Sequence, residues 1–156
     1  MLKRIASVLA LFALGLVIAL FAVAYRGDIP AEELERRYTD GDSQFLDIAG
    51  SRVHVKDVGS RDLPPLVLIH GTASSLHTWD GWADALGDRH RVVRLDLPGY
   101  GLTGPNDQGP EGRGDYSTRY RLEVIDGLLD ALGVDKFYGL GHSCGGVRVA
   151  ASSTHV

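Results

Sequence analysis

The hydrophobic pattern of the chain changes sharply after its first 25 residues. The run from Ile5 to Tyr25 contains no charged residue. As an α-helix it would be roughly 30 Å long, which matches the hydrocarbon core of a bilayer. Lys3 and Arg4 precede the run, which favours a cytoplasmic N-terminus and a following domain on the periplasmic or extracellular side. We therefore predict that residues 1–27 form a transmembrane anchor.

A secretory signal peptide is the alternative interpretation of the same segment. Ala22-Val23-Ala24 has the small-x-small form of a cleavage site, so this alternative predicts a domain secreted after cleavage near Ala24. The apolar run is longer than the roughly 7–15 residues of the hydrophobic region of a signal peptide, and this length favours the anchor.

Residues 28–43 are polar and predict a linker that contains one short helix. Pro30 suits the first turn of a helix, and Glu32 and Glu33 favour its positive end. The predicted helix is Ala31–Tyr38, a solvated surface element that leaves the membrane.

Residues 44–156 alternate between strand and helix patterns. The predicted strands are Gln44–Ile48, Arg52–Val58, Leu66–Ile69, Arg91–Leu95 and Lys136–Leu140, the first two joined by a hairpin at Gly50-Ser51. One helix is predicted after Thr78 as N-cap. A longer helix is predicted with Leu122, Ile125, Leu129 and Leu132 on one face and Gly133 as its stop, and Gly145–Ala151 is predicted to start another. Strands that alternate with helices imply a parallel sheet covered on both faces, here with an antiparallel edge from the hairpin. The fold class is therefore α/β, preceded by one transmembrane helix.

Composition narrows the classes of function. The formal net charge is -4, which gives no reason to expect nucleic-acid binding. Cys144 is the one cysteine, so an internal disulfide is excluded. The six histidines and this cysteine have no zinc-ligand spacing, and the sequence predicts no metal and no cofactor.

The central motif is Gly141-His142-Ser143-Cys144-Gly145, which matches G-x-S-x-G between a predicted strand and a predicted helix. A sharp strand-to-helix turn forces the serine into strained backbone geometry and exposes its hydroxyl. Gly141 and Gly145 avoid collisions between side chains and nearby backbone at such a turn. The pattern predicts Ser143 as a catalytic nucleophile. Cys144, beside it, is interpreted as a space-filling side chain rather than a catalytic thiol.

A second motif, His70-Gly71-Thr72, ends the most apolar strand. A tetrahedral intermediate of acyl transfer needs two N–H donors, which we assign to the backbone of Thr72 and Cys144. His70 is a candidate base, but a histidine at the end of a buried strand is better explained as a residue that bonds backbone and shapes the loop. His70, Gly71 and His142 are therefore predicted to support the turn.

Gly99-Tyr100-Gly101-Leu102-Thr103-Gly104 fits G-x-G-x-x-G, the pattern of dinucleotide-binding loops. Pro105-Asn106 follows it, and no helix is predicted to open there. Without a helix N-terminus nothing holds a pyrophosphate, so a nucleotide-dependent oxidoreductase is the weakest interpretation.

Taken together, these residues resemble the α/β-hydrolase superfamily in its serine-nucleophile, bacterial form. The matching segments are Leu66–Thr72, Asp96–Gly101, Tyr116–Gly133 and Gly141–Gly146. The resemblance covers about Gln44 to Ala151, which corresponds to the N-terminal half of that fold. It implies an acyl-enzyme at Ser143 and a small ester or related acyl substrate. Haloalkane dehalogenases and epoxide hydrolases look similar but place Asp at this position, whereas esterases, lipases, carbon–carbon bond hydrolases and cofactor-free haloperoxidases remain open.

The resemblance also implies a triad in the chain order Ser, Asp or Glu, His. After Ser143 the sequence contains neither Asp nor Glu, and its one histidine is His155. The apolar period of the last predicted helix is lost after Ala151. We therefore expect a partial hydrolase domain, cut short near Ala150 and inactive as it stands. The rival hypothesis is a non-catalytic, membrane-tethered binding domain built on part of the same fold.

Overall fold

The computed structural model describes residues 2–25, 27–143 and 145–146. The chain divides into two compact units, residues 1–34 and residues 35–156. The first unit contains helix α1, Leu2–Ala24. Within the described residues, α1 is the one helix long and apolar enough to cross a membrane, with a mean hydropathy of 2.8 over an 18-residue window within Arg4–Ala24. The predicted helix is confirmed, and its insertion in a membrane stays a prediction.

Helix α2, Ala31–Tyr38, has the bounds that the sequence predicts. Glu32 and Glu33 lie in its first turn, and Arg36 and Arg37 lie in its last turn. Both pairs stabilise the helix, because they oppose the partial charges of its ends.

The second unit is built on a five-stranded sheet in the order β1-β2-β4-β3-β5. The strands are β1 Ser43–Ile48, β2 Ser51–Val58, β3 Leu66–Ile69, β4 Val92–Leu95 and β5 Tyr138–Gly141. The β1–β2 and β2–β4 pairs are antiparallel, and the β4–β3 and β3–β5 pairs are parallel. This is the predicted α/β architecture with an antiparallel edge.

Helices cover both faces of the sheet, which explains why β3 is a continuous apolar run. Helix α4, Thr118–Ala131, packs Val124, Ile125 and Leu128 onto one face, against residues such as Val67 and Ile69. A 3-10 helix, Leu76–Trp79, and helix α3, Asp80–Leu86, cover the other face. There Leu68, Trp79 and Ala83 form a smaller core with Val92.

Three local predictions were wrong in detail. The hairpin turns at Ala49-Gly50 rather than Gly50-Ser51, with positive φ at both residues (49° and 81°), because a two-residue hairpin of this twist needs them. Thr78 does not cap α3, since the chain first forms the 3-10 helix and Trp79 occupies the N-cap. Strand β5 begins at Tyr138, two residues later than predicted.

The last part of the predicted linker, residues 35–43, is bonded to the sheet. Glu35 makes a bidentate ion pair with Arg52 at 2.7 and 3.2 Å. Asp40 accepts a hydrogen bond at 2.6 Å from the Lys56 ammonium, whose side chain is buried. The bond from Lys56 lowers the pKa of Asp40, and the bond from Arg52 lowers the pKa of Glu35. Both carboxylates therefore stay ionised near neutral pH and hold this segment to β2.

Candidate active site

Ser143 lies at a bend between β5 and a helical turn at residues 145–146. Its φ is 56°, in the left-handed region that a non-glycine residue seldom adopts. The side chain is solvent-exposed. Hydrogen bonds close the bend, from Gly145 N–H to the His142 carbonyl at 3.0 Å and from Gly146 N–H to the Ser143 carbonyl at 3.0 Å. The strained, exposed serine that the motif predicts is therefore present.

The two glycines of the motif are required by close backbone contacts. A Cβ on Gly141 would lie 2.3 Å from the Gly145 carbonyl carbon, and a Cβ on Gly145 would lie 2.4 Å from the Ile69 carbonyl oxygen. Real Cβ atoms do not approach other heavy atoms so closely. The glycines thus allow the bend to fold onto the end of β3.

Ser143 and the His70-Gly71-Thr72 motif come together at this end of the sheet. A Cβ built on Gly71 would lie 3.1 Å from the Ser143 Cβ and 2.9 Å from the His142 carbonyl oxygen. Gly71 is buried and Thr72 is exposed. The His142 N–H also donates to the Ile69 carbonyl at 3.1 Å.

The predicted contribution of Cys144 lies outside the described residues, as do His155 and all of the last predicted helix except Gly145 and Gly146. The roles of Ser143, Thr72 and Cys144 in catalysis remain predictions. The geometry that is described brings one exposed hydroxyl next to a loop that follows β3.

His70 is fully buried, and both of its ring nitrogens are engaged. Nδ1 lies 2.7 Å from the Gly71 carbonyl oxygen, and Nε2 lies 3.1 Å from the Leu97 amide nitrogen. The imidazole therefore donates from Nδ1 and accepts at Nε2, so neither nitrogen is free to take a proton from Ser143. These bonds are those of a residue that shapes the loop, as the sequence suggests.

Sequence reasoning missed the importance of Asp96, a buried carboxylate just after β4. Its Oδ1 accepts from the Leu76 N–H at 2.7 Å, and its Oδ2 accepts from the Leu102 N–H at 2.9 Å. His54 Nδ1 lies 2.9 Å from the same Oδ2, and the Thr103 hydroxyl donates to the Asp96 carbonyl at 2.7 Å. One side chain thus joins three segments of the chain, and its position in the Asp96–Gly101 segment was the available signal.

The glycine pattern Gly99–Gly104 leaves room for the Asp96 carboxylate. Gly101 has a φ of 48°, and a Cβ there would lie 2.2 Å from Asp96. The segment is a series of turns, and no helix opens directly after it, because residues 105–108 continue as irregular chain before a short 3-10 helix at Pro110–Gly112. A glycine at position 101 is therefore explained by Asp96 rather than by a phosphate group.

Asp96 also belongs to a Ser–His–Asp arrangement built on Ser43 and His54 rather than on Ser143. His54 Nε2 lies 3.1 Å from the Ser43 Oγ, opposite its contact with Asp96. His54 is fully buried, and the Ser43 hydroxyl also accepts from the Asp40 N–H at 3.2 Å and lies 3.4 Å from the Asp40 carboxylate. A carboxylate at this distance repels a developing oxyanion, so the arrangement is suited to holding β1 and β2 rather than to catalysis. Within the described residues, no group of three His, Asp or Glu side chains is placed to hold a metal ion.

Comparison with known proteins agrees with this architecture. The family model described as alpha/beta hydrolase fold matches residues 64–151, more than half of the chain. Human epoxide hydrolase 4 is 33% identical over 99 residues, which cover 64% of this chain and 26% of that protein. Haloalkane dehalogenase 2 of Mycobacterium tuberculosis is 32% identical over 105 residues, covering 67% and 34%. The crystal structure of a meta-cleavage product hydrolase from Pseudomonas fluorescens superposes with a TM-score of 0.60 at 28% identity, covering 72% and 40%.

The chain therefore belongs to the α/β-hydrolase fold family. It spans about a quarter to a third of the length of the curated relatives described above. The matched part holds the β3 loop, the Asp96 segment and the Ser143 bend, which together form the candidate site.

Proposed function

We propose that this chain carries the nucleophile of a serine hydrolase that acts on small esters or related acyl compounds. The observation that supports the proposal most is the left-handed backbone of Ser143 (φ 56°) at a strand-to-helix bend, against Gly71. Strain of this kind concentrates at active sites, and such a bend exposes the serine hydroxyl to a substrate carbonyl. The hydrolases among the relatives support the class of reaction. A serine rather than an aspartate at the bend favours ester over epoxide or haloalkane substrates.

In the proposed reaction the Ser143 Oγ attacks the ester carbonyl carbon, and its proton passes to a base. The carbonyl oxygen becomes an oxyanion, which we assign to the backbone N–H groups of Thr72 and Cys144. The intermediate then collapses, and the alcohol leaves with the proton. Water hydrolyses the acyl-serine and regenerates the hydroxyl. Loss of one oxyanion donor typically slows such reactions about 100- to 1000-fold.

In the chain order of the family, the base is a histidine that follows the serine and then an Asp or Glu. These 156 residues do not contain that order. The sequence after Ser143 holds His155 and no carboxylate, and both nitrogens of His70 are occupied. A serine hydroxyl without a base is a weak nucleophile near neutral pH. We therefore infer that a polypeptide of these 156 residues alone hydrolyses esters very slowly.

A fluorophosphonate probe tests both parts of this proposal. The full chain in detergent should form an adduct slowly at Ser143, and added imidazole, as an external base, should accelerate adduct formation at least about tenfold. Mass spectrometry of the digested protein locates the adduct. The Ser143→Ala variant should form none, and the matched Ser43→Ala variant should react like the unmodified chain.

Three results would count against the proposal. Rapid, stoichiometric labelling of Ser143 without imidazole would overturn the inferred inactivity. An adduct at Ser43 would move the nucleophile to the Ser43–His54–Asp96 arrangement. Absence of any Ser143 adduct with imidazole present, in a folded chain, would favour a non-catalytic binding domain.

We also propose that α1 anchors the protein, with the N-terminus in the cytoplasm and the second unit on the periplasmic or extracellular side. Support comes from the length and hydropathy of Arg4–Ala24 and from Lys3 and Arg4 before it. The chain expressed in bacteria should stay in the membrane after alkaline carbonate extraction. External protease should digest residues 35–156 in spheroplasts. Release of a shortened chain into the medium would instead establish cleavage near Ala24, and protection from the protease would reverse the orientation.

A further inference from the structure

We propose that Asp96 is a positioning residue for the oxyanion loop, the segment Gly71–Ser75 that carries the Thr72 amide. The inference rests on the proposed function, since it assigns Asp96 to the placement of a donor and not to contact with the substrate. The Asp96 carboxylate is 1% exposed, and its Oδ1 accepts from the Leu76 N–H at 2.7 Å. Leu76 is the first residue after the loop, so this bond fixes where the loop ends.

The two ends of the oxyanion loop are held by different residues. At its start, Gly71 packs against the Ser143 bend and its carbonyl bonds to His70. At its end, the Leu76 amide is bonded to Asp96. Between these ends Ala73 has a φ of 55°, a strained conformation that persists only when the surroundings impose it. The position of the donor therefore depends on both anchors.

The orientation of the Asp96 carboxylate is itself fixed. Its Oδ2 accepts from the Leu102 N–H and contacts His54 Nδ1, each at 2.9 Å, so the carboxylate cannot rotate without losing bonds. Hydrogen bonds to an ionised carboxylate are roughly twice as strong as neutral ones. Because Asp96 is buried, water cannot replace a lost bond. The Leu76 amide is consequently tied, through Asp96, to β2 and to the segment after β4.

The Asp96→Asn variant tests the proposal in the full chain. An amide fits the same space but loses the charge and one acceptor, so it cannot receive all three bonds. We expect the imidazole-assisted rate of fluorophosphonate adduct formation at Ser143 to fall at least about tenfold, because small misplacements at a reacting centre have effects of this size. We also expect faster amide hydrogen exchange at Leu76, measured by NMR.

Asp57→Asn is the matched control. Asp57 is also a buried carboxylate in several charged bonds, to Arg91 at 2.8 and 2.9 Å and to Arg61 at 3.0 Å. It lies at the opposite end of the parallel strands, next to the start of β4. The Asp57→Asn substitution should lower the free energy of unfolding. It should change the rate of adduct formation at Ser143 by no more than about threefold, because substitutions at distant, unconnected sites normally act independently.

Equal labelling rates in the Asp96→Asn and Asp57→Asn variants would overturn the positioning role, as would unchanged exchange at Leu76. If Asp96→Asn does not fold, Thr103→Val replaces it. That isosteric change removes the hydroxyl that donates to the Asp96 carbonyl and accepts from the His54 N–H, and it should slow labelling more than Asp57→Asn does. A Thr103→Val rate equal to that of Asp57→Asn would contradict the proposal. Failure of the unmodified chain to label at Ser143 would refute the proposed function, whereas exchange at Leu76 would still test the hold of Asp96 on the loop.

Discussion

Replacing Gly145 by alanine should destabilise the second unit by about 3 kcal/mol, at the upper end of what overpacking a well-packed site costs. The added methyl would lie 2.4 Å from the Ile69 carbonyl oxygen and 2.7 Å from the His70 carbonyl oxygen. Both obstacles are backbone atoms of β3 and its end, so neither can swing aside as a side chain would. The bend must therefore move away from β3, which carries Ser143 away from Gly71.

Denaturant unfolding followed by tryptophan fluorescence measures this loss, since both tryptophans, Trp79 and Trp82, lie in the second unit. Gly81→Ala is the matched control. Gly81 lies inside α3, and a Cβ there meets no atom within 4 Å. Alanine is the better helix former by about 1 kcal/mol, so Gly81→Ala should leave stability unchanged or raise it. A Gly145→Ala variant as stable as the unmodified chain would show that the bend does not pack on β3 as described.

Replacing His70 by leucine should cost about 2 to 6 kcal/mol, since two buried polar groups lose their partners at about 1–3 kcal/mol each. The groups are the Gly71 carbonyl, bonded to Nδ1, and the Leu97 N–H, bonded to Nε2. Leucine fills a similar volume but offers neither a donor nor an acceptor. The same unfolding measurement, with the unmodified chain as reference, gives the size of the loss.

His77→Leu is the control for this variant. His77 bonds to Asp80 at 3.0 Å and to the Tyr38 carbonyl at 3.2 Å, but its side chain is 30% exposed. Water can replace those bonds, so the cost should stay below about 1 kcal/mol. The His70→Leu variant could instead keep its stability and lose the slow labelling of Ser143 that occurs without imidazole. That result would identify His70 as a base.

The architecture was predictable because its signals are local. The continuous apolar run at Leu66–Ile69 predicts a strand covered on both faces, and the 3.6-residue period after Ser117 predicts α4. The bend at Ser143 was predictable from the two glycines of its motif, because at each of these positions a side chain would collide with nearby backbone.

The role of Asp96 could not be predicted in the same way. Asp96 bonds to the backbone amides of Leu76 and Leu102, and a backbone amide is present whatever the residue type. Its side-chain partner His54 is 42 residues away in the sequence. The glycine at position 101 is visible in the sequence, but only the structure shows that its missing side chain leaves room for Asp96. The 3-10 helix before α3 was also missed, because one turn of this type has no distinctive period.

The central claim is that the chain bends at residue 143 and brings that serine onto the loop after β3. A nuclear Overhauser experiment on the full chain in detergent tests it most directly, because a Cβ at Gly71 would stand 3.1 Å from the Ser143 Cβ. The α protons of Gly71 should give strong cross-peaks to the β protons of Ser143. If both residues are assigned and no such cross-peak is found, Ser143 does not face this loop and the proposed site is wrong.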